Sequence, residues 1–399
     1  MIEEPVAKVI PSDDFQYYSG RYWNNLDQVV RELNLRATGD PDLPWQDHLH
    51  KKFGTFDRAL ILNCGNGWVE RELIEKGVVR SAVGVDFSPD LLGEAARQAS
   101  ELGMRLEYEQ LDTNTAKFPE GPFDLVVNHA ALHHVAYLDR VARRLCEILS
   151  PDGVLVSWDY VGSHRNQYSG AQWEAAWKVN LELPEEIRQN MRYPHLPTMI
   201  ATDPTEAVHA ELILPTLTRY FRFEHFRYLG GGVGYLLLTH NDALHSRPVD
   251  EIAEQVEIVM RADAALLEKD PESSLFAYWV ARPDPDRVTD PGQLEAWTAE
   301  EDRREAAAGA AGGVYYPPTA VGALSEALSS AELAHAQALA AAQNASTPAA
   351  GPPPVASAVD RDAVIAATPG RELLVVALAR LQARAAARIG SWRQRRVSR

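Results

Sequence analysis

Ala59-Leu60-Ile61-Leu62-Asn63-Cys64-Gly65-Asn66-Gly67 is an apolar run that breaks into a glycine turn, and Val83-Gly84-Val85-Asp86 is a second apolar run that ends on a carboxylate. Both runs read as strands buried in an α/β sheet. Between them Leu73 and Ile74 belong to a helix, for which Gly77 supplies a stop. Strand, glycine turn, helix, strand and acid, in that order, build a nucleoside site. Gly65 and Gly67 let backbone approach a ligand closely, and an acid about twenty residues on can grip a ribose diol.

Two nucleoside ligands fit that layout, a dinucleotide and S-adenosylmethionine. A dinucleotide fingerprint needs Gly-x-Gly-x-x-Gly, so that the helix can press onto the strand beside the pyrophosphate. Here the run is Gly65-Asn66-Gly67-Trp68-Val69-Glu70, and a carboxylate stands at the required glycine. The stretch instead resembles motif I of class I S-adenosylmethionine-dependent methyltransferases, in the Cys-Gly-x-Gly form shared by methyltransferase domains of types 11 and 25. The resemblance continues in register over residues 56–240. It implies S-adenosyl-L-methionine as cofactor. Asn63, Cys64, Gly65, Asn66 and Gly67 would hold its methionine part, and Asp86 with Phe87 its ribose. Leu111, Asp112 and Thr113 would meet the adenine, and Asn128 and His129 would line the methionine end. One departure is visible: many members carry an acid where this chain has Asn63, and an amide cannot neutralise the ammonium or sulfonium.

The chain alternates strands and helices from 56 to 240, the pattern of a mainly parallel sheet. Ser88-Pro89 opens a helix, serine as N-cap and proline in the first turn. Strands are expected at 105–110, 123–128 and 154–158, with Leu138, Val141, Leu145 and Ile148 marking a helix before Ser150-Pro151-Asp152-Gly153. Two further strands, 220–227 and 233–239, joined through Gly230-Gly231-Gly232, are expected to close the sheet as an antiparallel hairpin. The fold class is therefore α/β: a Rossmann-like, seven-stranded, mostly parallel sheet with a terminal antiparallel hairpin, a helical cap and a flexible C-terminal extension.

Five segments follow. Residues 1–55, with Phe15, Tyr17, Tyr18, Tyr22, Trp23 and Trp45, read as a helical cap that packs on the sheet edge or covers the ligands. Residues 56–243 form the methyltransferase domain, with an acceptor-side insertion at 162–212. A helical extension at 244–285 comes next. An Ala/Pro-rich linker at 286–370 contains Pro352-Pro353-Pro354. The segment 371–399 holds eight arginines against one glutamate, and its apolar residues share one helical face, which suits an anionic membrane surface or a partner protein.

The formal net charge of -17 argues against a chain-wide nucleic-acid footprint. Cys64 and Cys146, the two cysteines, provide neither a disulfide framework nor a zinc pattern. Met1-Ile2-Glu3-Glu4-Pro5 lacks a signal-peptide pattern, and no apolar run reaches the length of about eighteen residues that spans a bilayer. A cytoplasmic location is expected, with the basic tail directed to the inner face of the membrane or to a partner.

An acceptor hydroxyl must lose its proton as its bond to carbon forms, so a base is useful. His133 and His134, in Asn128-His129-Ala130-Ala131-Leu132-His133-His134-Val135, are candidates, and so is Asp159 past the fifth strand. The three histidines lack a carboxylate pair at ligand spacing, so no metal is expected. His164-Arg165-Asn166-Gln167-Tyr168 is dense in donors. This region, with Asp203-Pro204-Thr205-Glu206-Ala207-Val208, resembles bacterial methyltransferases found alongside glycosyltransferases, which implies a glycan, sugar or small-metabolite hydroxyl as acceptor. The alternatives are a non-catalytic methyltransferase-like binding module and a nicotinamide-linked oxidoreductase. A nucleic-acid methyltransferase is disfavoured, because Asn128-His129-Ala130-Ala131 stands where Asn-Pro-Pro-Tyr would be.

Overall fold

The computed structural model describes residues 21–196 and 205–284, with Met199, Asp203 and Arg303. Within them the strands β1 (Ala59–Leu62), β2 (Ala82–Asp86), β3 (Leu106–Gln110), β4 (Phe123–His129), β5 (Leu149–Tyr160), β6 (Phe221–Gly230) and β7 (Phe276–Pro283) form one seven-stranded sheet. Its order is β3-β2-β1-β4-β5-β7-β6. The first five strands run parallel, and β7 is antiparallel to both β5 and β6. The strand order reverses between β1 and β4, which is where open α/β sheets leave a crevice beyond the carboxyl ends of their strands.

The helices are α1 (Asp27–Thr38), α2 (Trp45–Phe53), α3 (Trp68–Glu75), α4 (Pro89–Glu101), α5 (Leu138–Ile148), α6 (Gly170–Glu182), α7 (Ile213–Leu217), α8 (Gly234–Leu238), α9 (Asp242–His245) and α10 (Val249–Lys269). Ser88 caps α4 as its sequence predicts, its hydroxyl accepting the Leu91 N–H, with Pro89 in the first turn. Two apolar layers cover the sheet. One joins Ile61, Leu125, Val127 and Val156 to α1, α2, α3, α8 and α10. The other joins Leu60, Leu62, Val126 and Leu155 to α5, α7 and Trp279. Alternate residues of β1 thus face opposite layers, which is why the whole strand is apolar.

The antiparallel closure is present, but its second strand is not the expected one. Residues 234–238 form α8 rather than a strand, and β6 pairs instead with β7, after residues 231–275 have intervened. The sheet therefore ends at Pro283, and the segment read as a helical extension supplies α10 and an interior strand. Tyr235, Leu236, Leu237 and Leu238 are apolar all round, and a short run of that kind carries no period to separate helix from strand. Asp263 of α10 decides the matter. Its buried carboxylate accepts the N–H groups of Gly231, Val233 and Gly234 and the guanidinium of Arg36 at 2.6 Å. Those N–H groups, turned inward on a polar side chain, are unavailable to a sheet ladder.

Asp27–Thr38 and Trp45–Phe53 form the two helices α1 and α2. The chain folds α1 over the edge strand β6, where His225 Nε2 donates to the Ala37 carbonyl, 2.7 Å away. Phe15, Tyr17 and Tyr18, the 286–370 linker and the 371–399 helix all lie outside the described residues. Among the described residues no helix is long and apolar enough to cross a membrane. Since β7 closes the sheet at Pro283, a chain cut after residue 285 is expected to keep the cofactor affinity of the full chain in a calorimetric titration.

Candidate functional site

The carboxyl ends of β1, β2, β4 and β5 meet at one edge, since Leu62 pairs with both Val85 and Asn128, and Asn128 with Ser157. That register brings the turn after β1, the acid ending β2 and the histidines after β4 together. Asp86 is buried, and its two oxygens accept the N–H groups of Gly65 and Ser88, each at 2.8 Å. It therefore clamps the glycine turn to the start of α4. The same short carboxylate stands where a ribose diol would donate to it.

Gly65 and Gly67 have φ of 57° and 77°, left-handed values that favour glycine. At Gly67 the close neighbour is the protein itself. A Cβ there would come within 2.6 Å of the Tyr108 hydroxyl and 2.9 Å of the Ala95 Cβ. This glycine lets the turn seat against β3 and α4, beyond any service to a ligand. The N–H groups at the start of α3 then face the crevice, where a carboxylate is favoured. Phe87 is largely exposed beside Asp86, an unobstructed face for an adenine ring. Leu111 packs against the second apolar layer and donates its N–H to the Asp86 carbonyl. Asp112 accepts from the N–H and amide of Asn114, and so shapes the turn at the adenine end.

Asn63 explains its own departure from the acid. Its amide oxygen accepts the Thr113 hydroxyl at 2.5 Å, and its nitrogen donates to the Ala131 carbonyl at 3.3 Å. The side chain thus straps the loop after β3 to the loop after β4. A carboxylate could make the first bond but would repel the second carbonyl. Cys64 is a packing residue, for burial pushes its thiol far above its ordinary range.

Glu70 lies wholly inside, behind the turn, with no hydrogen bond of good geometry to either carboxylate oxygen. Burial pushes its pKa up to about 7, against the weaker opposing effects of nearby N–H and O–H donors and Arg71. A carboxyl raised in the folded state is stabilising, relative to its ionised form, only while it stays protonated. Its contribution is full below the unfolded value of 4.5 and is lost as pH rises through 7. Glu70→Gln is accordingly expected to gain about 3 kcal/mol on wild type at pH 8.5 and little at pH 4.5. Denaturant unfolding of both proteins at the two pH values measures this, and an equal gap at both would exclude the explanation.

The three candidate bases separate sharply. Asp159 is fully buried and accepts from the Asn128 amide at 2.7 Å, the Leu132 N–H at 2.8 Å, His133 Nδ1 at 2.6 Å and the Tyr160 N–H at 2.7 Å. Burial alone would raise it, but the His133 charge and these donors hold it below the ordinary carboxylate range. In turn burial works against charge on His133, yet the Asp159 carboxylate, with Glu206 and Asp203, holds its pKa up to about 9. The two form a buried, hydrogen-bonded ion pair. Asn128 donates both amide hydrogens, to Ser157 and Asp159, and accepts the Leu132 N–H. It braces that pair.

His134 differs. Burial and the neighbouring His133 charge push its pKa down. The Thr205 hydroxyl donates to Asp203 at 2.7 Å, so it accepts from His134 Nδ1 at 2.9 Å. That leaves the lone pair on Nε2. His129 is held neutral, burial pushing it down to about 4, between the Trp45 ring of α2 at 5.9 Å and the Trp68 ring of α3 at 5.0 Å. The cap therefore reaches the site through Trp45, a contact that no local spacing announces. Glu206 was also missed as a site residue, although its loop stood out. It sits 3.7 Å from His133 Nε2 and 3.9 Å from His134 Nε2.

A glycine turn, a strand-end acid and a crevice at the β1/β4 switch lie at the carboxyl edge of an α/β sheet that closes antiparallel, an arrangement that suits S-adenosylmethionine. Residues 59–153 match the family described as Methyltransferase domain. The chain is 28% identical over 188 residues to the arginine-hydroxylase NDUFAF5, mitochondrial, of Rattus norvegicus, covering 44% of this chain and 51% of that protein. It is 30% identical over 103 residues to the demethylmenaquinone methyltransferase of Thermus thermophilus, covering 26% and 47%. It is 30% identical over 99 residues to the ubiquinone biosynthesis O-methyltransferase of Azorhizobium caulinodans, covering 25% and 38%. The chain thus spans about half or less of the length of these three relatives.

Proposed function

We propose that this chain transfers the methyl group of S-adenosylmethionine to an oxygen of a small acceptor, a sugar or glycan hydroxyl before other metabolites. The observation that carries the reading is His134 Nε2, a proton-accepting nitrogen held by Thr205 and Asp203 on the loop that Asn63 ties to the glycine turn. The acceptor oxygen forms its bond to the methyl carbon as the carbon–sulfur bond breaks. The sulfonium leaves as a neutral thioether, and the hydroxyl proton passes to His134. Most of the rate comes from holding the methyl carbon in line with the oxygen. A relative named as an O-methyltransferase is 30% identical to this chain over 99 residues.

The test is a methyl-transfer assay with labelled S-adenosylmethionine on a panel of sugars, glycans, phenols and amines. Oxygen-methylated product from wild type, with turnover reduced by about 100-fold or more in His134→Ala, is expected. Product on nitrogen would replace the acceptor class. Cofactor binding with no product anywhere on the panel would favour the binding-module reading, which draws support from the ion pairing of His133 and Asp159.

A further inference from the structure

The loop after β4 and the loop before α7 bring together a set of side chains that proton transfer alone does not require. One ligand atom each from His133, His134 and Glu206 lies within 4.8 Å of the others. Both imidazoles are oriented from behind. His133 Nδ1 bonds Asp159 at 2.6 Å, and His134 Nδ1 bonds Thr205, itself bonded to Asp203. Both Nε2 atoms are thereby directed at one carboxylate oxygen of Glu206, and a bound cation would displace the proton that His133 carries on Nε2 while Nδ1–H stays bonded to Asp159. A carboxylate or hydroxyl behind each histidine is the support that fixes metal-ligating imidazoles. The His134 lone pair and the Glu206 carboxylate face each other across 3.9 Å. Two acceptors so placed repel unless a cation or proton lies between them.

We propose that His133, His134 and Glu206 form a binding site for a first-row divalent transition cation, which holds the acceptor oxygen beside the methyl donor. Two imidazoles and one carboxylate favour Zn2+, Co2+ or Fe2+ over Mg2+ or Ca2+, which prefer oxygen-only sets. Ligand bonds of about 2.0–2.1 Å put ligand atoms roughly 3.4 Å apart in a tetrahedral site. The observed 3.7 and 3.9 Å need only small side-chain adjustments to reach that spacing. Three protein ligands leave at least one position for an exogenous oxygen. His134 and Glu206 are 22% and 28% exposed, so the site is open to solvent. The role at the acceptor rests on the function proposed above; cation binding does not. In the loaded chain an acceptor hydroxyl that coordinates the cation releases its proton to solvent, and His134 serves as ligand instead of base.

The test is titration of the chelator-treated full chain with Co2+, read by its visible d–d absorption, alongside His134→Ala and Glu206→Gln. Both variants keep the Asp159–His133 pair, and circular dichroism verifies their fold. One Co2+ per chain, displaced by Zn2+ and bound at least tenfold more weakly by each folded variant, is expected. Absence of a Co2+ spectrum in wild type, or equal affinity in the variants, would overturn the site. S-adenosylmethionine binding is measured separately on the same samples. If Co2+ binds as expected and the cofactor does not, the site stands and the methyltransferase reading falls. If the cofactor binds and Co2+ does not, the reverse holds.

Discussion

Asp86→Ala is expected to weaken binding of S-adenosylmethionine, and of its demethylated product, by about 100-fold or more in calorimetric titration. The carboxylate has two duties. It would accept the ribose hydroxyls, with each hydrogen bond to a charged group contributing about 1.5–3 kcal/mol. It also accepts the Gly65 and Ser88 N–H groups, so its loss frees the turn that positions the methionine end. A drop of about 3 kcal/mol or more corresponds to the stated change in Kd. Asp86→Asn distinguishes the duties. An amide oxygen can keep one backbone donor but not both, so an intermediate loss is expected. Unchanged affinity in Asp86→Ala would remove the nucleoside reading of this edge altogether.

The second large effect concerns stability. Asp159→Ala leaves a buried imidazolium without its partner, and the Tyr160 N–H group and one Asn128 hydrogen without the carboxylate that accepts them. Breaking one side of a buried ion pair typically costs 3–5 kcal/mol, about a third or more of the stability of many domains. Asp159→Ala is expected to lose about that much in denaturant unfolding. The double variant Asp159→Asn, His133→Gln removes both charges while keeping polar atoms at both positions, and should recover part of the loss. If Asp159→Ala unfolds at the wild-type midpoint, the pair is not the brace described here.

How these residues differ was not visible in their spacing. His133, His134 and Asp159 look alike as strand-end titratable groups, and each was a candidate base. Their environments separate them. Donors from β4, β5 and the loop after β4 converge on Asp159, fixing His133 in its charged form, whereas a hydroxyl alone meets His134 Nδ1. Glu206 completes the histidine cluster from far along the chain. No local carboxylate spacing points to it, which is why a metal was not expected.

Residues 59–86 determined by themselves the class of sheet and the kind of ligand at its edge. A buried parallel strand must be apolar throughout, the turn after it must reach left-handed φ, and the acid must end the next strand, so all three leave local marks. Ser88-Pro89 likewise set its helix start through a cap that spans only a few residues. Only the tertiary structure decided that 276–283 closes the sheet and 234–238 turns helical, because Asp263, paired with Arg36, claims the backbone donors of that turn from a distant helix. The same holds for Asn63, whose amide is chosen by Thr113 and Ala131. Local signals report a residue's own conformation and periodic burial; the partner of a buried polar group is set by packing, and packing joins residues that the chain keeps far apart.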